Sequence, residues 1–345
     1  MGETRQFISA GEAQPPFFVG LDLGGTNVKV GVVDDQGRPL SWLTTPTEVE
    51  RGPENATERM AKAVHDAIAE AGLKQDEVVR VGLGSPGTMD IPAGRLVKPS
   101  NLKGWDDFPI RDRLADRCGI PVTFANDAAA AAYGEYWIGS GRDLESMILL
   151  TLGTGVGCGI IIHGRSIDGV NSHGAECGHN IIDSSENARW CNCGQQGHLE
   201  AYASATGVTR RTRDMLEAGL ESSLQSRLAD GEELTPKLVA EEAQNNDELS
   251  LKIIMETARY LGIGLVTLIH TIDPAGVLIG GAMNFGGGET ELGRRFLARV
   301  KEEVDRRAFA ILAERLHLDF ASLGGDAGYV GAAGLAREDY MAIVL

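Results

Sequence analysis

The chain is short of cysteine, proline, aromatic residues and positive charge, and each shortage argues against a class of protein. Five of the 345 residues are Cys, an odd number in which Cys191 and Cys193 stand one residue apart. That pattern argues against a disulfide framework and fits a reducing cytosol with thiols free for metal. Twelve prolines and a 43% apolar content argue against a low-complexity or disordered chain. Lys and Arg number 32 against 49 Asp and Glu, a net charge of −17. Duplex nucleic acid and anionic membranes are held by dense cationic contacts, so neither is an expected partner. A small anion stays open as a ligand where backbone N–H groups and a metal offset the repulsion. No uninterrupted apolar run reaches the ~18 residues of a membrane span. The opening MGETRQFISAGEAQPP has no apolar segment of the secretory type, so a cytoplasmic protein is expected.

Glycine is the residue in excess. There are 45, about 13% where roughly 7% is ordinary, and they follow no three-residue period. The length suggests two domains at about 100–200 residues each, with ample core. Residues 1–16 are polar, end in Pro15-Pro16 and read as a short loose tail. FFVGLDLGGTNVKVGVVDDQG, residues 17–37, reads as strand, Gly-rich turn, strand and a second turn. Helices are expected over about 54–71, 108–118, 128–137, 199–217, 236–246, 249–272 and 289–313, with strands at 78–86, 121–127 and from 276. The stretch SMILLTLGTGVGCGIIIHGR repeats the first hairpin's layout about 129 positions later, which implies an internally duplicated α/β protein. In the tail 325–339, Gly328, Gly331, Ala332 and Gly334 suggest a helix packed closely on another element.

Three glycine turns carry the first chemistry. In Asp22-Leu23-Gly24-Gly25-Thr26-Asn27 the missing Cβ atoms let backbone N–H groups reach a phosphate, and Asp22 can hold a hydrated Mg²⁺. A plain tight hairpin is the alternative. Gly153-Thr154-Gly155-Val156-Gly157 repeats the arrangement, and Gly280-Gly281-Ala282 follows a strand where an adenine or ribose could rest against backbone. None is a Walker A loop or a Rossmann fingerprint. Asn126-Asp127 ends a strand and begins a helix, where the Asp either caps the helix or points into a cleft. Finally, His179, Cys191, Cys193 and His198 place four soft or borderline ligands within twenty positions. Such a set suits a closed tetrahedral Zn²⁺ of structural type.

On these motifs the sequence resembles the sugar-kinase, actin and heat-shock-protein ATPase superfamily, and within it the ROK family (repressors, open reading frames, sugar kinases), over about residues 17–335. The resemblance implies an α/β fold of two ribonuclease-H-like, actin-type domains with ATP and sugar in a cleft between them. The expected division is a small domain over 17–124, onto which a C-terminal helix at about 326–345 packs back, and a large domain over 125–325 with the zinc segment 174–200 inserted. It also implies an ATP:hexose 6-phosphotransferase acting on D-glucose, with Mg²⁺ and a structural Zn²⁺. Asp127 would be the base that takes the proton of the sugar 6-hydroxyl. Asp22, Gly24, Gly25, Thr26, Asn27, Lys29, Gly153, Thr154, Gly155, Gly280 and Gly281 would contact the nucleotide. Ser85, Pro86, Gly87, Ser100, Asn101, Asn126, Glu176, His179 and Glu200 would join Asp127 around the sugar. His179 would bind zinc through one ring nitrogen and aim the other at a hydroxyl. One position departs from the family pattern: His198 stands where a third Cys is usual, so Cys₂His₂ ligation is expected.

N-acetylmannosamine, N-acetylglucosamine, fructose and allose kinases share these motifs, and a polyphosphate donor is a further alternative to ATP. ROK repressors carry a helix-turn-helix module ahead of the first hairpin, and the ~16 residues there are too few for one. A homodimer or homotetramer is the family's expectation. Cys118, Cys158 and Cys177 read as small core residues.

Overall fold

The apolar runs on either side of Gly24-Gly25 pair as strands, and the sheet they start continues through three more. The structure is a computed structural model and describes residues 5–99 and 101–344. In the first sheet, β1 (Phe17–Leu23), β2 (Asn27–Val33) and β3 (Pro39–Pro46) form an antiparallel meander. After helix α1 (Pro53–Glu70), β4 (Val78–Ser85) pairs parallel to β1. A small hairpin of β5 (Thr88–Asp90) and β6 (Arg95–Lys98) and helix α2 (Ile110–Cys118) precede β7 (Val122–Asn126), which pairs parallel to β4. The order is therefore β3-β2-β1-β4-β7.

The second sheet repeats that order. Helix α3 (Asp127–Trp137) leads to β8 (Ser146–Leu152), β9 (Val156–Ile162) and β10 (Arg165–Ser166). Helices α4 (Glu200–Ala203), α5 (Ala205–Glu217), α6 (Leu224–Ala229), α7 (Pro236–Gln244) and α8 (Glu248–Ile272) precede β11 (Gly276–Gly280). Helices α9 (Glu291–Arg307) and α10 (Ala310–Arg315) precede β12 (His317–Phe320), and α11 (Ala327–Val344) closes the chain. The order β10-β9-β8-β11-β12, with β8, β11 and β12 parallel, matches the first sheet strand for strand. The duplication expected from the two hairpins is thus a duplication of whole sheets.

The chain forms two compact units, Met1–Leu144 with Gly159–Ala175 and Ser322–Leu345, and Glu145–Cys158 with Glu176–Ala321. Helix α3 and residues 159–175 group with the first sheet, whereas the expected boundary at 124/125 assigned both to the second domain. Small residues account for the place of α3. A Cβ on Gly331 of α11 would lie 1.6 Å from Ala130 O, so the two helices touch backbone to backbone. The same helix lies on the sheet through Gly20 and Gly82, where a Cβ would meet Tyr329 O and Ala332 O, each at 1.8 Å. Close packing of 325–339 is what its small residues predicted. Gly82→Ala is therefore expected to cost about 3 kcal/mol or more, read as a lowered Tm. Gly11→Ala, which meets nothing within 4 Å, should leave Tm unchanged.

Several local expectations are corrected. The helix expected over 199–217 breaks at Ser204, whose hydroxyl caps α5 by accepting from Gly207 N–H at 3.1 Å. The one expected over 289–313 is interrupted at Ala308 and Phe309, where the backbone turns extended. The tail is not loose over residues 5–16. Arg5 forks onto Asp326 at 2.7–2.9 Å and lies over the Trp42 ring, and Ile8 N–H bonds Pro39 O at 3.0 Å. Helix α8, 25 residues long, is apolar enough to cross a membrane by length and composition. Lys252, Glu256 and Arg259 interrupt it, and Leu249, Ile253, Leu261 and Leu265 are buried against the protein's own helices, as in a core helix.

Candidate functional site

In the first unit the parallel strands β1, β4 and β7 end side by side. Asp22 lies opposite Gly84, and Ser85 opposite Asn126. The carboxyl ends of parallel strands are where α/β sheets gather ligand-binding groups. Gly84 has no Cβ, which would stand 3.2 Å from Ala130 Cβ and 3.6 Å from Asp127 Cα. The first turn of α3 can therefore approach β4 closely. Asn126 caps that helix, its Oδ1 accepting from the amides of Ala128 and Ala129 at 2.8 and 3.2 Å. The cap occupies the carbonyl side of the amide and does not use the NH₂ group. Asp127 is the first residue of α3, half-buried, with Oδ1 accepting from Ala128 N–H at 2.8 Å.

Beside these groups lies the β1–β2 turn. Gly24 N–H closes it on Asn27 O at 2.9 Å, and Thr47 braces it by donating its hydroxyl to Gly24 O at 2.6 Å. Among the described residues no hydrogen bond occupies the amides of Gly25 or Thr26, so two adjacent N–H groups remain for an anion. Asp22 faces Lys29 at 3.7 Å, and Lys29 also donates to Gly325 O at 2.7 Å. Burial pushes the Asp22 carboxyl above its usual range, with Lys29 pulling the other way. Asn101 approaches the turn through its carbonyl, 3.6 Å from the position a Gly25 Cβ would take. Ser85 is fully buried and its hydroxyl is given to Pro86 O at 3.3 Å. Gly87 has φ +91, and a Cβ there would strike Pro99 at 2.7 Å. Ser100 lies outside the described residues.

The second unit repeats the turn. Gly153 N–H bonds Gly155 O at 3.0 Å, and the amides of Thr154 and Gly155 carry no hydrogen bond among the described residues. Its brace is the break before α5: Ala205 N–H donates to Gly153 O at 2.9 Å and the Thr206 hydroxyl to Thr154 O at 3.0 Å. Gly281 adopts φ +89 directly against Leu152, where a Cβ would fall 2.4 Å from its carbonyl oxygen. Met283 N–H bonds the same carbonyl at 3.0 Å. The second and third glycine motifs are therefore one surface.

The Cys/His segment packs on that surface. Gly178 has room only because it has no Cβ, which would lie 2.2 Å from Val156 O. A short ladder joins Ile182 N–H to Gly197 O and Leu199 N–H to Asn180 O, at 2.8 and 2.9 Å. It brings His198 back against His179, while Cys191 N–H bonds Gln195 O across a tight knuckle. The donor atoms of His179, Cys191, Cys193 and His198 all lie within 4.8 Å of one another. The two Nδ1 atoms are 3.2 Å apart, Cys191 Sγ is 3.7 Å from His179 Nδ1, and Cys193 Sγ is 3.3 Å from His198 Nδ1. Bonds of about 2.0–2.3 Å in a tetrahedron separate donors by roughly 3.3–3.8 Å, so the set fits Zn²⁺. Without metal, burial pushes the Cys191 thiol up to about 12. Burial, and then the His179 imidazole, hold His198 below its usual range. Both His residues turn Nδ1 to the cluster, and His179 Nε2 points toward Glu176 at 3.9 Å. Glu200 accepts from Val156 N–H at 3.1 Å and from the Cys191 thiol at 3.4 Å, a tie between cluster and turn that no sequence signal announced.

The ROK family profile matches residues 18–339. The chain belongs to the ROK family. It is 33% identical over 322 residues to a glucokinase of Halalkalibacterium halodurans, covering 93% of this chain and 95% of that one. It is similar to the crystal structure of a ROK hexokinase from Thermus thermophilus, with TM-score 0.78, 32% identity, and coverage of 94% and 99%. It is also similar to a ROK glucokinase of Streptomyces griseus solved in complex with glucose and AMPPNP, with TM-score 0.73, 32% identity, and coverage of 93% and 99%. The duplicated sheets of this ROK chain are thus the α/β, actin-type architecture its motifs implied. Thr47 and Thr206, which hold the two turns, were not singled out from sequence. Each is distant from its turn in the chain, and only the fold reunites them.

Proposed function

We propose that the protein is an ATP:hexose 6-phosphotransferase whose sugar is D-glucose. The observation that carries this reading is the pair of matching glycine turns, each with two adjacent unbonded amides, in a ROK chain that also sets Asp127 beside Asn126 at the strand ends. Phosphoryl transfer needs positioning and charge neutralisation more than covalent chemistry. In this reading the amides of Gly25, Thr26, Thr154 and Gly155 donate to phosphate oxygens, and Asp22 holds hydrated Mg²⁺. Gly280 and Gly281 admit the nucleoside. Asp127 accepts the 6-hydroxyl proton as that oxygen attacks the γ-phosphorus, and the proton stays on the carboxylate while ADP departs. The Asn126 NH₂ group, Gly87, Asn101, Glu176, His179 and Glu200 orient the sugar. Polar groups left unpaired by a sugar lacking a hydroxyl make the site selective.

His179, Cys191, Cys193 and His198 hold a structural Zn²⁺ in the same reading. The ion supplies a closed cross-link and fixes His179 with Nε2 as a hydrogen-bond donor. Two thiolates and two neutral imidazoles leave it with no net charge. A cytoplasmic location, in keeping with five free cysteines, and a homodimeric or homotetrameric assembly, the family's expectation, complete the reading.

A panel of hexoses in a coupled ADP-release assay, with ATP and with polyphosphate as donors, tests the substrate. The highest kcat/KM is expected for glucose with ATP. Preference for an N-acetylated sugar would overturn the choice of glucose, and activity with polyphosphate alone the choice of donor.

A further inference from the structure

A groove of about 740 Å³ runs along β7 and α11 within the first compact unit and shares no residue with the candidate site. Val122, Phe124 and Leu335 contribute apolar surface and Arg80, Arg165 and Glu338 charge, the mixed lining and the size of a small-molecule site. Its arginines are unevenly used. Arg111 is spent on Asp112 and on the carbonyls of Ile91 and Pro92. Among the described residues the buried Nε of Arg80 has no hydrogen-bond partner, and its Nη1 reaches the Thr123 hydroxyl only at 3.5 Å. Among the described residues neither Arg80 nor Arg165 forms an ion pair, in a chain with an excess of 17 negative charges. The Nε is enclosed even with the groove empty, so an anion in the groove would bond the guanidinium through its terminal nitrogens.

The carboxylates of the groove lie close to those guanidinium groups: the Thr123 hydroxyl reached by Arg80 donates on to Asp339, and the charge of Arg165 acts on Glu338. Asp339 accepts from the Thr123 hydroxyl at 2.6 Å and Asp168 from the Ser166 hydroxyl at 2.9 Å. Glu338 is half-buried and makes no hydrogen bond among the described residues. Burial, and then the charge of Asp339, hold its carboxyl above the usual range. Guanidinium groups recognise phosphate oxygens, and carboxyl groups recognise hydroxyls. We propose that this groove binds a small organic phosphate whose remaining surface carries hydroxyl groups. Arg80 and Arg165 take the phosphate, Glu338 takes hydroxyls, and the carbon skeleton lies on the apolar floor. A sugar phosphate has this chemistry, and the proposal stands whether or not the protein makes one.

The test is calorimetric titration at low ionic strength, with the proposed catalytic site saturated by glucose and a non-hydrolysable ATP analogue. The probes are glucose 6-phosphate and, separately, inorganic phosphate. Wild-type protein is expected to bind glucose 6-phosphate in a single event with Kd below about 1 mM and inorganic phosphate more weakly. Arg80→Gln should weaken both by about tenfold or more, and the exposed Arg165→Ala should act in the same direction if Arg80→Gln does not fold. Glu338→Ala should weaken only the sugar phosphate. ADP release with glucose alone should be unchanged in all three variants. Absence of binding to the wild type, or equal binding by the folded arginine variants, overturns the proposal. A failure of the kinase reading would appear separately, as wild-type protein that releases no ADP.

Discussion

Asp127→Ala should lower kcat for glucose phosphorylation by about 10²–10⁴-fold, the usual contribution of a positioned general base. Binding of the ATP analogue should stay within a few-fold of the parent. The asymmetry follows from where the residue stands. Asp127 is the first residue of α3, and Asn126 supplies the cap through Oδ1. Removing the Asp127 carboxylate therefore spares the cap, and the amides of Gly25 and Thr26 belong to a different strand end. Asn126→Ala behaves differently, because it removes the cap. It should destabilise the fold by about 1 kcal/mol as well as weaken sugar binding. Steady-state kinetics with thermal melts separates the two variants. Retention of near-parent kcat by Asp127→Ala would remove this carboxylate from the mechanism.

Loss of zinc should have the second large effect. Protein purified without chelator is expected to hold about one equivalent, and stripping it should lower Tm by on the order of 10 °C. Structural zinc contributes its binding free energy to folding. The segment from His179 to Glu200 also has hydrogen bonds of its own, among them Ile182 to Gly197, Gly197 to Arg189, and Tyr202 to Asp183 and Arg189, so the loss is expected to be local melting and not global unfolding. Protons compete with the metal for thiolate and imidazole, so retention should fall as pH falls. The burial that raises the metal-free Cys191 thiol acts in the same sense. His198→Ala should lower zinc affinity and His198→Cys should keep the metal bound. Less than about half an equivalent of zinc in chelator-free protein, or an unchanged Tm after chelation, would contradict the site.

The sequence made the local motifs legible and hid the contacts that connect them. Apolar strand, glycine turn, apolar strand at 17–37 and again from 146 was readable because period and turn chemistry are local properties. The repeated strand order follows from that duplication. The Cys191-to-His198 spacing was equally readable, since ligand chemistry restricts it. What the sequence could not express were joins between distant positions. Thr47 reaches Gly24, Glu200 reaches Val156, and Gly331 gives way to Ala130. The break at Ser204 was hidden for a related reason. Alanine-rich sequence favours continuous helix, and the competing bond from Ala205 to Gly153 is tertiary. Arg80 gave no signal either, because an unpaired guanidinium is recognised only when its neighbours are known.

Phosphoryl transfer from ATP to the 6-hydroxyl of glucose can be followed atom by atom by ³¹P NMR of the reaction mixture. With wild-type protein, Mg²⁺, ATP and glucose, the γ-phosphate resonance should disappear as a phosphomonoester coupled to the two C6 protons grows with ADP in equal amount. An ester at another oxygen, release of inorganic phosphate in its place, or an unchanged ATP spectrum would rule this reaction out.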